Sequence, residues 1–329
     1  MKKAVLLINA LSEHPTEDEL DVLDQASLIE ETLEKLNYAS ERIFMDFDLK
    51  SIVNQIKNAR PDLVFNLSES LEQDARLIHW PPSFLTHLKI PFTGCDAESM
   101  YITSNKTLAK KLMEINQIPT PELIEKPETA LFNPNKTYMA KPVWEDASVG
   151  ICDENVMVGT PENIMSFLEN NSHRSWFFEE YIQGREFNIS MLGGDNGPEV
   201  LPMAEIVFQN FPDGKPQIVG YDAKWKKDSF EYKNTTRHFG IEEENPALAE
   251  EMKIICYQCW DAFGLSGYVR VDLRVNAQNQ PLVLEINANP CLSPDAGFYA
   301  AAEKAGYHFE VVLARIIEDA FSTSNTKKQ

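Results

Sequence analysis

The chain has 329 residues, of which 43% are hydrophobic and 25% are charged, and its formal net charge is −21. This length and composition can bury more than one core, so we expect two or three globular domains. A surface this acidic repels nucleic-acid backbones and makes nucleic acid an unexpected partner, although a few lysines and Mg²⁺ can still hold a small phosphate ligand.

We expect no targeting or membrane segment. The apolar run Ala4–Ile8 has the length of a strand and is too short for a signal peptide, and no apolar stretch approaches the roughly 20 residues of a membrane span. The five cysteines are widely spaced and odd in number, which disfavours a disulfide framework. Cys256 and Cys259 lie in a predicted amphipathic helix, where core packing is expected. We therefore predict a cytoplasmic protein with no membrane partner.

The first third of the chain alternates predicted strands and helices. Apolar runs indicate strands at Ala4–Ile8, Arg42–Phe47, Asp62–Leu67 and Ile90–Gly94. Helical spacing indicates helices at Val22–Leu36, at Leu49–Asn58 and in a segment that ends with Phe84–Leu88. This alternation favours a parallel sheet covered on both faces. We therefore predict an N-terminal α/β domain over residues 1–95.

Strands dominate the remainder, which is typical of α+β domains. Strands are predicted at Tyr138–Lys141, Trp176–Tyr181, Glu186–Leu192 and Leu201–Phe208, and helices at Asn105–Asn116, Pro246–Phe263 and His308–Phe321. Residues 209–240 are polar and weakly periodic, and two aromatic-basic clusters favour a functional loop over disorder. We predict domains at residues 96–183 and 184–322 and a polar tail at residues 323–329.

The strongest chemical signal is a predicted antiparallel hairpin. Its strands are Tyr268–Arg274 and Leu282–Asn287, which both alternate apolar and polar residues, and a polar turn at Asn276–Gln280 joins them. Period two places Asp272 on a polar face of the first strand and Glu285 on a polar face of the second.

If those faces match, two carboxylates and an amide oxygen converge beside an arginine: Asp272, Glu285, Asn287 and Arg270. Hard oxygen ligands of this kind suit Mg²⁺ that also contacts phosphate. The alternative is an ordinary hairpin with a solvated polar face. The fixed turn Asn287–Pro290 favours the metal site.

Three weaker signals precede the hairpin. Lys106 begins a helix and Lys141 ends a strand, where either side chain could contact phosphate oxygens, although each alone is more typical of a surface lysine. The turn Trp144–Gly150 could present backbone N–H groups to phosphate. The strand Phe178–Ile182 could offer carbonyls and a side chain to a purine and its ribose, or it could be a plain edge strand.

Taken in chain order, these segments resemble the ATP-grasp superfamily, and specifically the D-alanine–D-alanine ligases. The resemblance covers nearly the whole chain and implies three domains, with ATP between two α+β halves. It is strongest in the segments Ile90–Gly94, Asn105–Lys106, Ile118–Pro121, Lys141–Gly150, Glu179–Phe187 and Arg270–Pro290.

The resemblance also implies a role for each matching residue. ATP would be bound by Lys106, Lys141, Ser148, Glu179, Ile182 and Glu186. Two Mg²⁺ ions, or Mn²⁺, would be held by Asp272, Glu285 and Asn287. The γ-phosphate would be reached by Lys224, and the oxyanion of the tetrahedral intermediate would be stabilised by Arg270 and the backbone N–H of Cys291.

The substrate side departs from the family pattern. The segment Asn9–Leu20 lacks the family's glycine-rich turn, so the acid that holds the substrate ammonium is either Glu19 or Asp21. Glu69, directly after the third strand, is also expected to contact the ammonium. Further departures are Asp146, Ala147, Trp225, Cys291 and Ala296. We therefore expect D-alanine to be a weak substrate or none.

The implied function is an ATP-dependent carboxylate–amine ligase. It would join small molecules, amino acids or peptides, through an acyl phosphate and release ADP and phosphate. The resemblance is also compatible with a homodimer. The alternative is a catalytically weak ATP-binding regulatory module of the same fold. The retained Arg270, Asp272, Glu285 and Asn287 favour the enzyme, since a regulatory domain need not keep them.

Overall fold

The structure is a computed structural model that describes residues 1–72, 74–194 and 196–326, with side chains described as far as residue 322. In this part of the chain, a three-stranded, a four-stranded and a six-stranded sheet follow one another. The predicted class, an N-terminal parallel α/β region followed by α+β structure, is confirmed.

The first sheet is parallel and three-stranded, in the order β2-β1-β3. Its strands are β1 (Lys2–Asn9), β2 (Tyr38–Met45) and β3 (Leu63–Asn66). Its helices are α1 (Glu17–Lys35), α2 (Leu49–Ala59) and α3 (Trp80–Leu88). Residues of β1 alternate between two cores, because Leu6 packs in the cluster that contains α1 and Leu7 in the cluster that contains α2. The sheet is therefore covered on both faces, as predicted.

The predicted strand Ile90–Gly94 is wrong as a strand. Only Phe92 forms an isolated parallel bridge, with Val64 on β3. Pro91 has no N–H to donate to a ladder, and Gly94 turns the chain away with a φ of +85°. The segment therefore touches the sheet edge and leaves it at once.

The second sheet is antiparallel, in the order β4-β7-β5-β6. Its strands are β4 (Leu123–Ile124), β5 (Thr137–Pro142), β6 (Val156–Val158) and β7 (Trp176–Glu180). Its helices are α4 (Ala97–Ser104), α5 (Lys106–Ile115) and α6 (Pro161–Asn170). Met139 lies opposite Glu179 and Lys141 opposite Phe177, so Lys141 and Glu179 are diagonal neighbours on one face.

The third sheet is also antiparallel, in the order β11-β10-β8-β12-β13, with β9 paired to β8. Its strands are β8 (Gly184–Leu192), β9 (Glu199–Val200), β10 (Ala204–Phe208), β11 (Thr235–Phe239), β12 (Tyr268–Asn276) and β13 (Pro281–Asn287). The central strands β8 and β12 are buried, and this fixes the register of the site residues on β12.

Residues 209–240 are not a structureless loop, which corrects the sequence-based expectation. They contain α7 (Tyr221–Trp225), α8 (Phe230–Asn234) and the strand β11, and α9 (Ile241–Glu244) follows. Helices of five residues are too short to show a hydrophobic period. β11 pairs only with β10, and its three central residues are exposed and polar, so it lacks the alternation of a half-buried strand.

The remaining helices are α10 (Pro246–Ala262), α11 (Gly297–Lys304) and α12 (Phe309–Thr326). Cys256 and Cys259 lie on α10 as free cysteines, and both are buried in the core, as predicted. Residues of α12 share a core with α1, so the C-terminus packs on the N-terminal region. Of the predicted polar tail, residues 323–326 belong to α12, and residues 327–329 lie outside the described residues.

Candidate active site

The β12–β13 hairpin brings the predicted metal residues together. Arg270 lies opposite Asn287, and Asp272 lies opposite Glu285. A β-bulge follows this pair and leaves Leu284 as the extra residue on β13, a feature found next to many active sites. The two polar faces therefore match, which was the condition for a shared site in the sequence-based prediction.

The charges on this face are tightly paired. Arg270 donates from Nε to Oδ1 of Asp272 and from Nη2 to Oδ2, both at 2.7 Å, so the ion pair is bidentate. Burial would raise the pKa of Glu285, but Lys106, Lys141 and other nearby cations outweigh it and lower that pKa to about 2. Glu285 is therefore ionised at neutral pH and able to bind a cation.

The oxygen set fits Mg²⁺ in its chemistry. It consists of two carboxylates and one amide, which are hard donors that leave positions for phosphate oxygens and water. Asn287 Oδ1 accepts a 3.0 Å hydrogen bond from the backbone N–H of Asn289, which orients the amide. Within the described residues, no group of three or more His, Cys, Asp or Glu side chains could hold a metal. A metal at this hairpin would therefore need phosphate or water ligands.

A cleft runs past the hairpin toward the second sheet. Ten of the predicted site residues line it: Lys106, Lys141, Ser148, Glu179, Ile182, Glu186, Lys224, Arg270, Asp272 and Glu285. The other predicted site residues do not contribute to that lining: Asn287, Cys291, Glu69 and Asp21.

At one end of the cleft, Glu179 is 2% exposed between two lysines. Lys141 Nζ lies 2.7 Å from Oε1, and Lys110 Nζ lies 2.6 Å from Oε2. Burial would raise the pKa of Glu179, but the two lysines outweigh it and hold that pKa below its ordinary value. Despite the ion pair, Oε2 accepts no well-aligned hydrogen bond from the described residues. The two lysines therefore hold the carboxylate in place on the wall of the cleft.

Arg274, which is 2% exposed, connects two further predicted residues. It donates from Nη1 to the carbonyl of Ile182 at 2.8 Å. It also donates from Nε and Nη2 to Oε2 of Glu186, at 3.1 and 2.7 Å. Oε1 of Glu186 takes no part in these bonds. Arg274 on β12 therefore holds both Glu186 on β8 and the backbone of Ile182, and it leaves Oε1 of Glu186 outside the ion pair.

Lys106 lines the cleft beside the hairpin. Its Nζ donates to the carbonyl of Glu145 at 2.6 Å and to Oδ1 of Asp146 at 2.7 Å, and it lies 3.9 Å from Oε2 of Glu285. Burial would lower the pKa of Lys106, but Asp146 and Glu285 outweigh it and raise that pKa. Ser148, two residues after Asp146, donates from Oγ to the carbonyl of Val219 at 2.7 Å.

Residues 209–240, here called the lid segment, cover part of the cleft. Ile218, Val219 and Lys224 from this segment line it. Burial and the nearby Arg270 lower the pKa of Lys224, and the nearby carboxylates of Glu285 and Asp272 oppose the change. The predicted phosphate lysine therefore faces the same space as the metal hairpin.

The lid segment is anchored at several points. Trp225 Nε1 donates to the carbonyl of Ala147 at 2.9 Å, and Tyr221 Oη donates to Oδ1 of Asp18 on α1 at 2.8 Å. Lys215 contacts Asp153, outside the segment, and Glu231 on α8. The segment is thus attached to both the N-terminal region and the loops of the second sheet.

The structure distinguishes the two candidate acids near β1. Glu19 accepts hydrogen bonds from Ser12 and Thr16 at the start of α1, so it caps the helix. Asp21 instead accepts from Cys291 Sγ at 2.8 Å and from Ser293 Oγ at 3.0 Å. Burial and nearby acids raise the pKa of Asp21, although these two hydrogen bonds oppose the change. Asp21 is therefore the acid that faces the loop after β13.

Glu69 also lies on this side. Burial, and repulsion from Asp21, Asp146 and Asp18, raise its pKa to about 8, and Lys224 opposes the shift only in part. The loop that carries Glu69 contacts the loop after β13, because Asn289 Nδ2 donates to the carbonyl of Ser68 at 3.3 Å.

Several contacts at this junction were not predicted. Ser293 orients Asp21, and Gln25 accepts a 2.8 Å hydrogen bond from the backbone N–H of Leu292. Lys110 was not assigned a role either. Nothing in the linear order indicates these pairs, because they depend on how α1 and α5 pack against distant strands.

Among the described residues, we find no helix with the length and apolar character needed to cross a membrane.

Comparison with known proteins places this geometry in a family. The family described as D-ala D-ala ligase C-terminus matches residues 110–318. The D-alanine–D-alanine ligase of Rhizobium meliloti is 26% identical over 325 residues, which cover 96% of this chain and 97% of that protein. The uncharacterised protein y4sG of Sinorhizobium fredii is 28% identical over 266 residues, which cover 78% and 74%.

The crystal structure of D-alanine–D-alanine ligase from Bacillus anthracis complexed with ATP has a TM-score of 0.77 to this chain at 20% identity. The match covers 99% of this chain and 100% of that one, so the two share a fold. The chain therefore belongs to the D-ala D-ala ligase C-terminus family, and it is an ATP-grasp ligase that resembles the D-alanine–D-alanine ligases, as its sequence predicted.

Proposed function

We propose that this chain joins a small-molecule carboxylate to an amine by way of an acyl phosphate, with ATP converted to ADP and phosphate. The observation that carries the proposal is the position of Asp272 opposite Glu285 on the wall of the cleft. The other end of the same cleft holds Glu179 between two lysines. The cleft therefore offers one set of groups suited to a nucleotide base, around Glu179, and another suited to a metal-bound phosphate chain, at Asp272 and Glu285.

ATP is the nucleotide that fits these ends. The Glu179 carboxylate, which lines the cleft, can accept from the adenine amino group, and Glu186 can accept from the ribose hydroxyls. The backbone of Ile182 lies beside the base, and Lys106, Lys141 and the turn at Ser148 lie toward the phosphates. The Bacillus anthracis structure with the same fold is described as complexed with ATP, which supports this assignment.

We assign Mg²⁺ to Asp272, Glu285 and Asn287, as two ions, with Mn²⁺ as a substitute. When bound there, the metal neutralises phosphate charge and acts as a Lewis acid. Glu285 is suited to this role because the nearby cations keep it ionised. Asp272 is already oriented by its bidentate pair with Arg270.

The protein groups then act mainly by positioning and neutralisation. A carboxylate is a poor electrophile, so its oxygen must first take the γ-phosphoryl group before an amine can attack the carbonyl. Lys224 on the lid segment is assigned to the γ-phosphate. Arg270 and the backbone N–H of Cys291 are assigned to the oxyanion that forms during that attack.

The substrate ammonium is assigned to Asp21 and Glu69. Asp21 is oriented by Cys291 and Ser293, and Glu69 lies in an acidic surrounding that a cation would relieve. Amino acids or peptides are the proposed substrates, as the names of the relatives suggest. Ala147 and Trp225 stand at positions where the family uses other side chains, and here the Trp225 indole donates to the carbonyl of Ala147. We therefore expect D-alanine to be used weakly or not at all.

The three sheets support domains at residues 1–95, 96–183 and 184–322. Amino acids or peptides as partners, rather than nucleic acid, agree with the net charge of −21. A cytoplasmic location and a homodimer remain predictions of the sequence.

The test is phosphate release from MgATP in the presence of single and paired D- and L-amino acids and dipeptides. We expect at least one combination to stimulate release and to yield an amide product by mass spectrometry. Asp272→Asn is the matched control, since it removes a metal ligand and nearly keeps the shape. A protein that binds MgATP but responds to no combination would contradict the ligase assignment.

A further inference from the structure

Lys110 on α5 is a buried cation to which neither the family resemblance nor the proposed reaction gives a role. It is 1% exposed. Its Nζ lies 2.6 Å from Oε2 of Glu179 and donates to Oγ1 of Thr120 at 2.8 Å. Burial of a lysine is costly unless the charge is paired and hydrogen-bonded, and Lys110 has both kinds of contact.

Thr120 extends this contact to the metal hairpin. Its Oγ1 donates to the carbonyl of Val283 on β13 at 2.8 Å. The backbone N–H of Val283 donates in turn to the carbonyl of Pro119 at 2.7 Å. Val283 precedes Glu285 by two residues on the same strand. A continuous path of polar contacts therefore runs from Glu179 through Lys110 and Thr120 to the strand that carries a proposed metal ligand.

Two lysines share the carboxylate of Glu179, one on each oxygen. Lys110 approaches Oε2 from α5, and Lys141 approaches Oε1 from β5. Lys141 and Glu179 line the cleft, whereas Lys110 does not. Lys110 thus holds the carboxylate from the protein side, and Lys141 is the one that a ligand can also contact.

We propose that Lys110 is a positioning residue for base recognition, which fixes the Glu179 carboxylate so that it accepts from an adenine amino group and rejects a guanine carbonyl. The inference rests on the proposed use of ATP. Adenine presents an amino donor where guanine presents O6, an acceptor. A fixed, ionised carboxylate can pair with the first and repels the second.

Loss of Lys110 changes this discrimination in a defined way. Glu179 would remain buried with one cation in place of two, so it would either turn toward Lys141 or take up a proton. A protonated carboxyl can donate to O6, and a turned one no longer faces the base. In both cases adenine loses its advantage over guanine.

The test compares the dissociation constants of MgATP and MgGTP by calorimetry in wild type and Lys110→Met. The preference for adenine is the dissociation constant of MgGTP divided by that of MgATP. We expect this ratio to be about tenfold lower in Lys110→Met than in wild type. Lys111→Met is the matched control, because Lys111 is the next residue on α5 and pairs with Glu125 at the surface. Its ratio should match wild type. A general loosening of the fold would weaken both nucleotides alike and leave the ratio unchanged, and that result would overturn the inference.

Lys110→Met leaves a buried acid with less compensation, so a second measurement covers a variant that fails to fold. In Glu179→Gln the amide can accept or donate, so the ratio of the two dissociation constants should already be lower than in wild type. Adding Lys110→Met should then cause no further fall, because both partners of the pair are gone. A further tenfold fall would contradict the inference. A wild-type protein that fails to bind MgATP would overturn the proposed function itself.

Discussion

Lys106 and Asp146 form an ion pair on the wall of the cleft, with Nζ 2.7 Å from Oδ1. The same lysine is assigned to the phosphates of ATP. Asp146 therefore competes with the triphosphate for Lys106, and it also places a negative charge beside an anionic ligand. A carboxylate at this place weakens nucleotide binding more than a neutral residue would.

We predict that Asp146→Asn binds MgATP about fivefold more tightly than wild type, because the amide releases Lys106 and removes the repulsion. Calorimetry of MgATP measures the change. Asp228→Asn serves as the control, since Asp228 is fully exposed on the lid segment and its carboxylate pairs with the exposed Lys233 at 3.4 Å. Unchanged or weaker binding in Asp146→Asn would mean that the aspartate does not oppose the phosphates.

Asp272→Asn and Glu285→Gln should each lower turnover by about a thousandfold while leaving the fold intact. Each change removes a metal-binding charge and nearly preserves side-chain shape. Turnover is followed by phosphate release, and the fold by circular dichroism and thermal unfolding. Turnover close to that of wild type in either variant would refute the metal assignment.

The acidic surrounding of Glu69 predicts a pH-dependent stability. The ordinary pKa of a glutamate is near 4.5, and burial with nearby acids raises that of Glu69 to about 8, so the folded state holds its proton more tightly than the unfolded state. Between these two values the free energy of unfolding falls as pH rises, by at most about 1.4 kcal/mol per pH unit from this group.

Glu69→Gln mimics the protonated form and removes that loss. We predict that its free energy of unfolding exceeds that of wild type by a few kcal/mol at pH 8.5 and by little at pH 5. Urea denaturation at the two pH values measures both differences. The exposed Glu13→Gln should show no such growth with pH. An equal effect of Glu69→Gln at both pH values would remove the basis for a charge-sensitive substrate site.

The contacts of the lid segment predict where it opens. Lys215→Met removes the contacts with both Asp153 and Glu231, so proteolytic cleavage within residues 209–240 should become faster and an ATP analogue should slow it. Lys233→Met, which removes only exposed contacts with the carboxylate and the backbone carbonyl of Asp228 in the same segment, should be cleaved at the wild-type rate. Equal cleavage of the two variants, with no protection by nucleotide, would contradict a lid.

Local pattern was enough to predict the hairpin. Alternation along β12 and β13 put Asp272 and Glu285 each on a polar face, and the structure adds that the two lie opposite each other. The order of the segments indicated the family before any packing was known. The choice between Glu19 and Asp21 needed the structure, because the two acids differ in whether they cap α1 or face the loop after β13. Lys110 could not be recognised either, since a buried lysine and an exposed one look alike in a helix sequence.

The short helices of the lid segment could not be predicted from the sequence for a different reason. Its helices are stabilised by contacts with residues far along the chain, such as Tyr221 with Asp18, and not by a period of their own. Tertiary contacts decide such short elements, and a sequence window cannot contain them.

The central claim is that the substrate carboxylate attacks the γ-phosphoryl group of ATP. The most direct test uses the best substrate pair from the amino-acid and dipeptide screen, with the carboxylate labelled with ¹⁸O, and analyses the released phosphate by mass spectrometry. An acyl phosphate predicts one ¹⁸O atom in each phosphate, because the carboxylate oxygen stays on phosphorus when the amine displaces it. Phosphate without label, formed together with the amide product, would contradict the mechanism.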